Sequence, residues 1–311
     1  MTKARRRIAV IGAGVIGATA AARIAEAGCD VVLFSEERVG TTAVSQASFA
    51  WVNSHGKGPG PYRQLSEDGR RAHAERSEAH RTPWFVRTGA EIDGVAYADD
   101  GWVDTHAFLA AQLHDLRQAG GVVHGETRID ALGQVRDAAG AVDAVVVAAG
   151  AGTAALVGPV TPAPAGLSTS AGDDGFVARI RIGEHPLDRI RSLDGLQVRP
   201  DGNGWIAAQS LRIEEELRRA GVAASVESVW PTLRGEIEGA LGWRIPEDAD
   251  VDVAHAVRPH GPGGFPVLGF VTDDVYVALT HSGITLAALL GELIARDLQG
   301  DADPRLAHFR P

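Results

Sequence analysis

The chain contains one cysteine, Cys29, among 311 residues. A lone thiol excludes an intramolecular disulfide, a CxxC redox pair and a cysteine-rich metal site. It also removes disulfide-reductase chemistry and makes a reducing, cytoplasmic setting the simplest expectation. Positive charge is in short supply, with a formal net charge of −10. A phosphate backbone requires a basic footprint, so no nucleic-acid partner is expected. No apolar run approaches the ~20 residues of a membrane span, so no membrane partner is expected. Arg5, Arg6 and Arg7 precede an apolar stretch as in a signal peptide. That stretch reads as a strand, however, and no small-residue cleavage site follows it. Eleven histidines are present, yet neither His-x-x-x-His nor a zinc-type His–carboxylate motif occurs, so no metal is expected. A nucleophile elbow is missing, which excludes a Ser–His–Asp reading. There are no internal repeats and no low-complexity tracts.

What is present is 45% apolar and 23% charged, the balance of a soluble globular protein. The length suits one large or two ordinary domains. Residues Ile8 to Gly17 read Ile-Ala-Val-Ile-Gly-Ala-Gly-Val-Ile-Gly. An apolar strand runs directly into three glycines, and an alanine-rich helix follows. Gly12 permits a tight turn, Gly14 lets backbone approach a pyrophosphate, and Gly17 lets the helix pack closely on the strand. The helix N-terminus, opening through Val15 and Ile16, directs free N–H groups at the anion. In such a βαβ unit a carboxylate stands at the end of the second strand, roughly 20 residues after the glycines. That place falls at Ser35 or, one residue late, at Glu36.

Gly40 to Asn53 is dense in small hydroxyl residues, which supply donors to phosphates and rings. Helices are expected over Leu65 to Glu78, Asp104 to Ala119, Ile213 to Gly221, Val226 to Leu241 and Thr285 to Leu298. Short antiparallel strands are expected between Arg87 and Val103. Ala144 to Ala149 and Val275 to Leu279 read as strands buried on both faces. Parallel-type segments occupy the N-terminus, middle and C-terminus, interrupted twice by antiparallel ones. One domain with insertions explains this order better than two domains in series.

Five motifs in order resemble the FAD-dependent D-amino-acid, glycine and sarcosine oxidase superfamily. They are the turn Gly12–Gly17; Gly40-Thr41-Thr42 through Ser48-Phe49-Ala50-Trp51; Asp143 through Gly150; Arg258-Pro259 followed by Gly264-Phe265-Pro266-Val267-Leu268-Gly269; and Thr280-His281-Ser282-Gly283-Ile284-Thr285. The resemblance covers most of the chain. It implies an α/β fold: a Rossmann-like FAD-binding domain (1–82, 104–160 and 253–311) with an inserted, discontinuous mixed or antiparallel-sheet substrate domain (83–103 and 161–252).

The resemblance also implies roles. Gly12, Gly14 and Gly17 would hold the pyrophosphate. Thr41, Thr42 and Ser48 would line the flavin-side loop, Ile129 would meet adenine, and Ala149 and Gly150 would lie along the dinucleotide. The backbone from Ser282 through Gly283, Ile284 and Thr285 would face the pyrimidine end of the flavin. Arg258 matches an arginine that in glycine-oxidase-like relatives grips the substrate carboxylate, a task suited to a guanidinium fork. His281 would contact the flavin or the substrate amine, and Trp51 would wall the site. Arg199 and its hairpin context point to the surface, and His55 to a turn or a place near the ring.

The implied reaction oxidises the C–N bond of a small amino acid or amine, with O2 as acceptor. Alternatives are a flavin dehydrogenase with another acceptor, or a catalytically reduced FAD-binding subunit of a larger oxidase. A homo-oligomer or partner subunit is compatible with either. Three departures stand out: the chain is short for the superfamily, Cys29 lies far from positions of cysteinyl–flavin attachment, and Gly263 stands before Gly264 where the pattern often has an acidic residue.

Overall fold

The structure, a computed structural model, describes residues 5–40, 43–159, 173–223 and 225–311. The N-terminal part runs β1 (Arg7–Ile11), α1 (Val15–Glu26), β2 (Asp30–Phe34), α2 (Ala43–Gln46), β3 (Trp51–Val52) and α3 (Pro61–Ala79). Then follow β4 (Phe85–Val86), β5 (Ala90–Ile92), β6 (Val95–Tyr97), β7 (Gly101–Val103), α4 (Thr105–Gln118), β8 (Val122–His124), α5 (Gly133–Ala139), β9 (Ala144–Val147) and α6 (Thr153–Val157). The second half contains β10 (Asp173–Arg181), β11 (Ile190–Leu193), β12 (Leu196–Gly202), β13 (Trp205–Ser210), α7 (Leu211–Ala220) and α8 (Val226–Leu241). It closes with β14 (Val251–Arg258), β15 (Val267–Phe270), β16 (Val275–Leu279) and α9 (Gly283–Leu298).

The first sheet is six-stranded in the order β15-β16-β9-β1-β2-β8, parallel throughout except for the β15–β16 edge pair. Its strands bury both faces, as their unbroken apolar sequences require. Ile8, Val10, Val31, Leu33, Ala144 and Val146 face a core shared with α1, α4 and α9. The alternate residues Ala9, Ile11, Val32, Phe34, Val145 and Val147 face Val135 and Ala139 of α5 and Leu156 and Val157 of α6. The link from Ile129 to Asp143 therefore covers the second face with one short helix.

A second sheet of seven strands has the order β14-β10-β13-β12-β11-β5-β6 and is antiparallel apart from β5–β11. Helices α7 and α8 cover it through Ile213, Val229, Leu233 and Ile237. The small third sheet is β3-β7-β4. These pairings place β14 with the second sheet, so the division expected at residue 253 falls inside a strand and the change of sheet comes after Arg258.

Arg199 corrects another expectation. It is 1% exposed, not on the surface. Its Nε–H donates to the Phe49 carbonyl at 2.8 Å, and its guanidinium lies 3.9 Å from the Trp102 ring centroid. An ion pair with Asp201 compensates the buried charge. Residue 199 faces inward because β12 is a central strand whose two faces both pack against other parts of the molecule.

Candidate cofactor and substrate cleft

A cleft of about 470 Å³ opens at the C-terminal end of the parallel sheet, where β1, β2, β9 and β16 deliver their following loops. Open α/β sheets bind ligands at this edge. The Gly12 N–H donates to the Phe34 carbonyl at 2.9 Å, and Gly12 has φ +100°. A Cβ there would stand 2.3 Å from the Ala148 carbonyl oxygen. Gly17 does not line the cleft but permits its shape: a Cβ at residue 17 would lie 1.8 Å from the Gly12 carbonyl oxygen. Gly14, Val15 and Ile16 do line it. Gly14 is the N-cap of α1 without a side-chain cap, and the first turn carries no acidic residue. The Val15 N–H donates to Ser45 Oγ at 3.3 Å. Ser45 was not singled out from the sequence, although the hydroxyl density of its segment was the signal.

At the second-strand end, Ser35, Glu36, Thr127, Arg128 and Ile129 line the cleft. Ser35 is buried and held by its backbone, receiving the Thr127 N–H on its carbonyl at 2.7 Å. Glu36 reaches the cleft while paired with Arg128. Ser48 also lines it, its hydroxyl accepting from the Ala50 N–H at 3.0 Å. Thr41 and Thr42 lie outside the described residues. Ala149 and Gly150 form the wall after β9, where Gly150 takes φ +57°.

The opposite wall is the start of α9. His281, Gly283 and Ile284 line the cleft. Ser282 is the N-cap, and its hydroxyl accepts from Tyr62 Oη–H at 2.7 Å. Thr285 is buried behind this wall. Like α1, α9 has no side-chain cap and no acidic residue in its first turn. Two helix N-termini thus bring partial positive charge to one cleft, a donor set that fits a pyrophosphate and an electron-rich ring. With the room left at Gly12 and Gly14, the residues present fit a flavin dinucleotide.

Arg258, the last residue of β14, lines the cleft beside Gly175. Its Nη1 donates to Glu214 Oε2 at 2.8 Å and its Nη2 to Glu214 Oε1 at 2.5 Å. Nη2 also lies 3.4 Å from Gln209 Oε1. The fork expected to stand open for a substrate is therefore occupied by a carboxylate of the chain itself. His281 sits nearby. Desolvation within the cleft walls, then the charges of Arg258 and His260, hold its pKa below the ordinary histidine value.

Trp51 does not line the cleft. It packs with Phe49 and Trp102, and its indole N–H donates to Asp100 Oδ2 at 2.9 Å. His55 Nε2 stands 2.7 Å from the same oxygen, and its ring is 4.1 Å from that of Tyr97.

A parallel sheet with a glycine turn, joined to a larger antiparallel sheet across a cleft, is the architecture of a dinucleotide-binding fold. The profile of the DAO family, described as FAD dependent oxidoreductase, matches residues 7–92 and 83–296. The chain belongs to this family, and its cofactor is FAD. Among solved structures it is similar to glycine oxidase from Geobacillus kaustophilus (18% identity, TM-score 0.78, 98% of each chain covered). It is also similar to iminodiacetate oxidase from Chelativorans sp. BNC1 (14%, TM-score 0.73, covering 98% of this chain and 99% of that one). A third is L-proline dehydrogenase from P. horikoshii (14%, TM-score 0.71, 96% and 95%). At these identities the likeness carries the fold. The chain spans 95–99% of these neighbours. No curated protein matches the sequence. Among the described residues no helix is long and apolar enough to cross a membrane.

Proposed function

We propose that the protein oxidises the C–N bond of a small amine or amino acid. The observation that carries this reading is the convergence on one cleft of His281, Arg258 and two helix N-termini whose N-cap residues give no side-chain cap. FAD, when bound, supplies hydride acceptance at N5 and, with O2 as terminal acceptor, gives H2O2, while the oxidised amine hydrolyses to a carbonyl compound and a free amine or ammonia.

The chain's part is position and electrostatics. The Gly12–Gly14 turn and the start of α1 would hold the pyrophosphate, and Ser35 and Glu36 would face the ribose. The N–H groups at Gly283 and Ile284 would favour negative charge on the pyrimidine end of the ring. His281, kept below its ordinary pKa, is neutral at pH 7 and offers a ring nitrogen to an N–H of the substrate. Holding an uncharged amine at short range is worth more here than a strong base.

The test is anaerobic bleaching of the visible flavin band against amines, glycine, N-methyl amino acids and both enantiomers of simple amino acids. Bleaching by at least one of them is expected, with peroxide formed on readmitting air. Peroxide release against reduction of an added dye separates an oxidase from a dehydrogenase. FAD bound but reduced by none of the panel would overturn the reading and favour a catalytically reduced subunit.

A further inference from the structure

We infer that the substrate is an amine carrying no carboxylate beside its reacting carbon, because Glu214 fills the arginine fork where such a group would bind. This rests on the amine-oxidising reading above and narrows its substrate class. Glu214 is held from three sides. Both of its oxygens take N–H donors from Arg258, at 2.8 and 2.5 Å. Oε1 also accepts the Phe176 backbone N–H at 3.2 Å. It stands in the first turn of α7, where the helix dipole favours an anion. The helix itself is fixed by buried Ile213 and by Ser210, whose hydroxyl caps the Ile213 N–H at 3.2 Å.

The Glu214 side chain is 10% exposed, so a substrate carboxylate that displaced it would leave a buried, unpaired anion. That exchange is unfavourable because the incoming carboxylate regains only the bonds that Glu214 loses, while the displaced charge stays poorly solvated. Electrostatically the pair is neutral, so nothing at Arg258 draws an anion in.

No other described lysine or arginine that lines the cleft is left unpaired. Among the described residues Arg128 is the only other lysine or arginine lining the cleft, and it is paired with Glu36 and Asp130. Lys57, whose charge is felt at His281, does not line the cleft. Its ammonium lies 5.3 Å from the Tyr62 ring centroid and 3.4 Å from the Asn53 carbonyl. In sequence, residues 160–172, which precede β10, contain no basic side chain.

The experiment has two arms on the FAD-loaded protein. In the first, acetate, benzoate and anthranilate are titrated while the visible flavin band and the melting temperature are followed. Wild type is expected to show no saturable change. Glu214→Ala, which frees the guanidinium, and Glu214→Gln, which removes the charge but keeps an acceptor, are expected to bind carboxylates. The gain should be about 10- to 100-fold, the scale of a charge-assisted hydrogen-bonded pair. Saturable binding by wild type at the affinity of Glu214→Ala overturns the inference. So does the absence of any gain in a variant that retains FAD and wild-type circular dichroism.

In the second arm, anaerobic flavin reduction compares each amine with its carboxylated partner: ethylamine with both alanines, benzylamine with both phenylglycines. The amines are expected to reduce wild type at least ~10-fold faster. Equal rates, or faster amino acids, overturn the inference. If no compound reduces the flavin, the reaction reading fails by itself, and the carboxylate titration still decides the state of the fork.

Discussion

At the residue scale, the glycine turn was legible because its requirement is a property of backbone. Gly12 has φ +100° and no room for a Cβ beside the Ala148 carbonyl. Gly12→Ala is therefore expected to combine ~1–3 kcal/mol of backbone strain with displacement of the β9 loop. FAD affinity should fall roughly 5- to 150-fold, read from the flavin retained per protein on dilution. Gly28→Ala is the control. Gly28 also has positive φ, +91°, but nothing stands within 4 Å of its Cβ position, so that variant should lose some stability and keep FAD. Arg258 was legible as a guanidinium that reaches the cleft, but its partner was not. Three successive glutamates, Glu214, Glu215 and Glu216, are chemically alike in sequence. Only the rotation of α7 set by Ile213 turns Glu214 inward, while Glu215 pairs with Arg218 and Arg219 on the exposed side.

At the scale of elements, periodicity located most helices and buried strands. Val226–Leu241 and Val275–Leu279 match their expected bounds, and α3 begins at Pro61, four residues before its expected start. What periodicity could not show is which helices touch. Besides the Tyr62 hydroxyl on Ser282, helix α3 reaches the start of α9 at Gly69 and His73. A Cβ at Gly69 would lie 2.5 Å from the Thr285 carbonyl oxygen, so the helices approach closely there. Buried His73 Nε2–H donates to the Ile284 carbonyl at 2.6 Å, while Nδ1 accepts the Trp84 indole N–H at 3.2 Å. Both nitrogens are used by the neutral ring, and burial holds its pKa down to about 4.

The consequence for stability has a definite sign. Above pH 6.5 the ring is neutral whether folded or unfolded. Between about 6.5 and about 4 the unfolded chain takes up a proton that the native state refuses. Stability is thus fully present above pH 6.5 and falls by ~1.4 kcal/mol per pH unit below it, to a total of ~3 kcal/mol. Urea unfolding between pH 4.5 and 7.5 should show this slope on top of any carboxylate contribution. His73→Gln should reduce the slope by about one proton. An unchanged slope would contradict the assignment to His73.

At the scale of the whole molecule, Arg199 joins the seven-stranded sheet to the segment that leads into the small sheet. It does so through the Phe49 carbonyl and the face of Trp102, with Asp201 beside it. Arg199→Met is expected to destabilise the fold by ~3 kcal/mol, the lower end of the cost of breaking a buried pair, because Arg179 still faces Asp201 at 3.2 Å. The shift of the guanidinium unfolding midpoint measures it. A shift under ~0.5 kcal/mol, typical of exposed sites, would place Arg199 back on the surface. The surface expectation came from a turn signal that is local, whereas burial of β12 depends on what covers it from 150 residues away in sequence.

The sequence by itself determined the cofactor class and the edge of the sheet where the cleft opens. Those depend on local backbone freedom at Gly12, Gly14 and Gly17 and on apolar runs that alternate between two buried faces. The tertiary structure alone decided which charges meet. Glu214 on Arg258, Asp100 under Trp51 and His55, and Ile284 against His73 join residues 44 to 211 positions apart in sequence. Pairing a buried charge or a ring nitrogen is a matter of distance and desolvation, and neither is written in the order of residues.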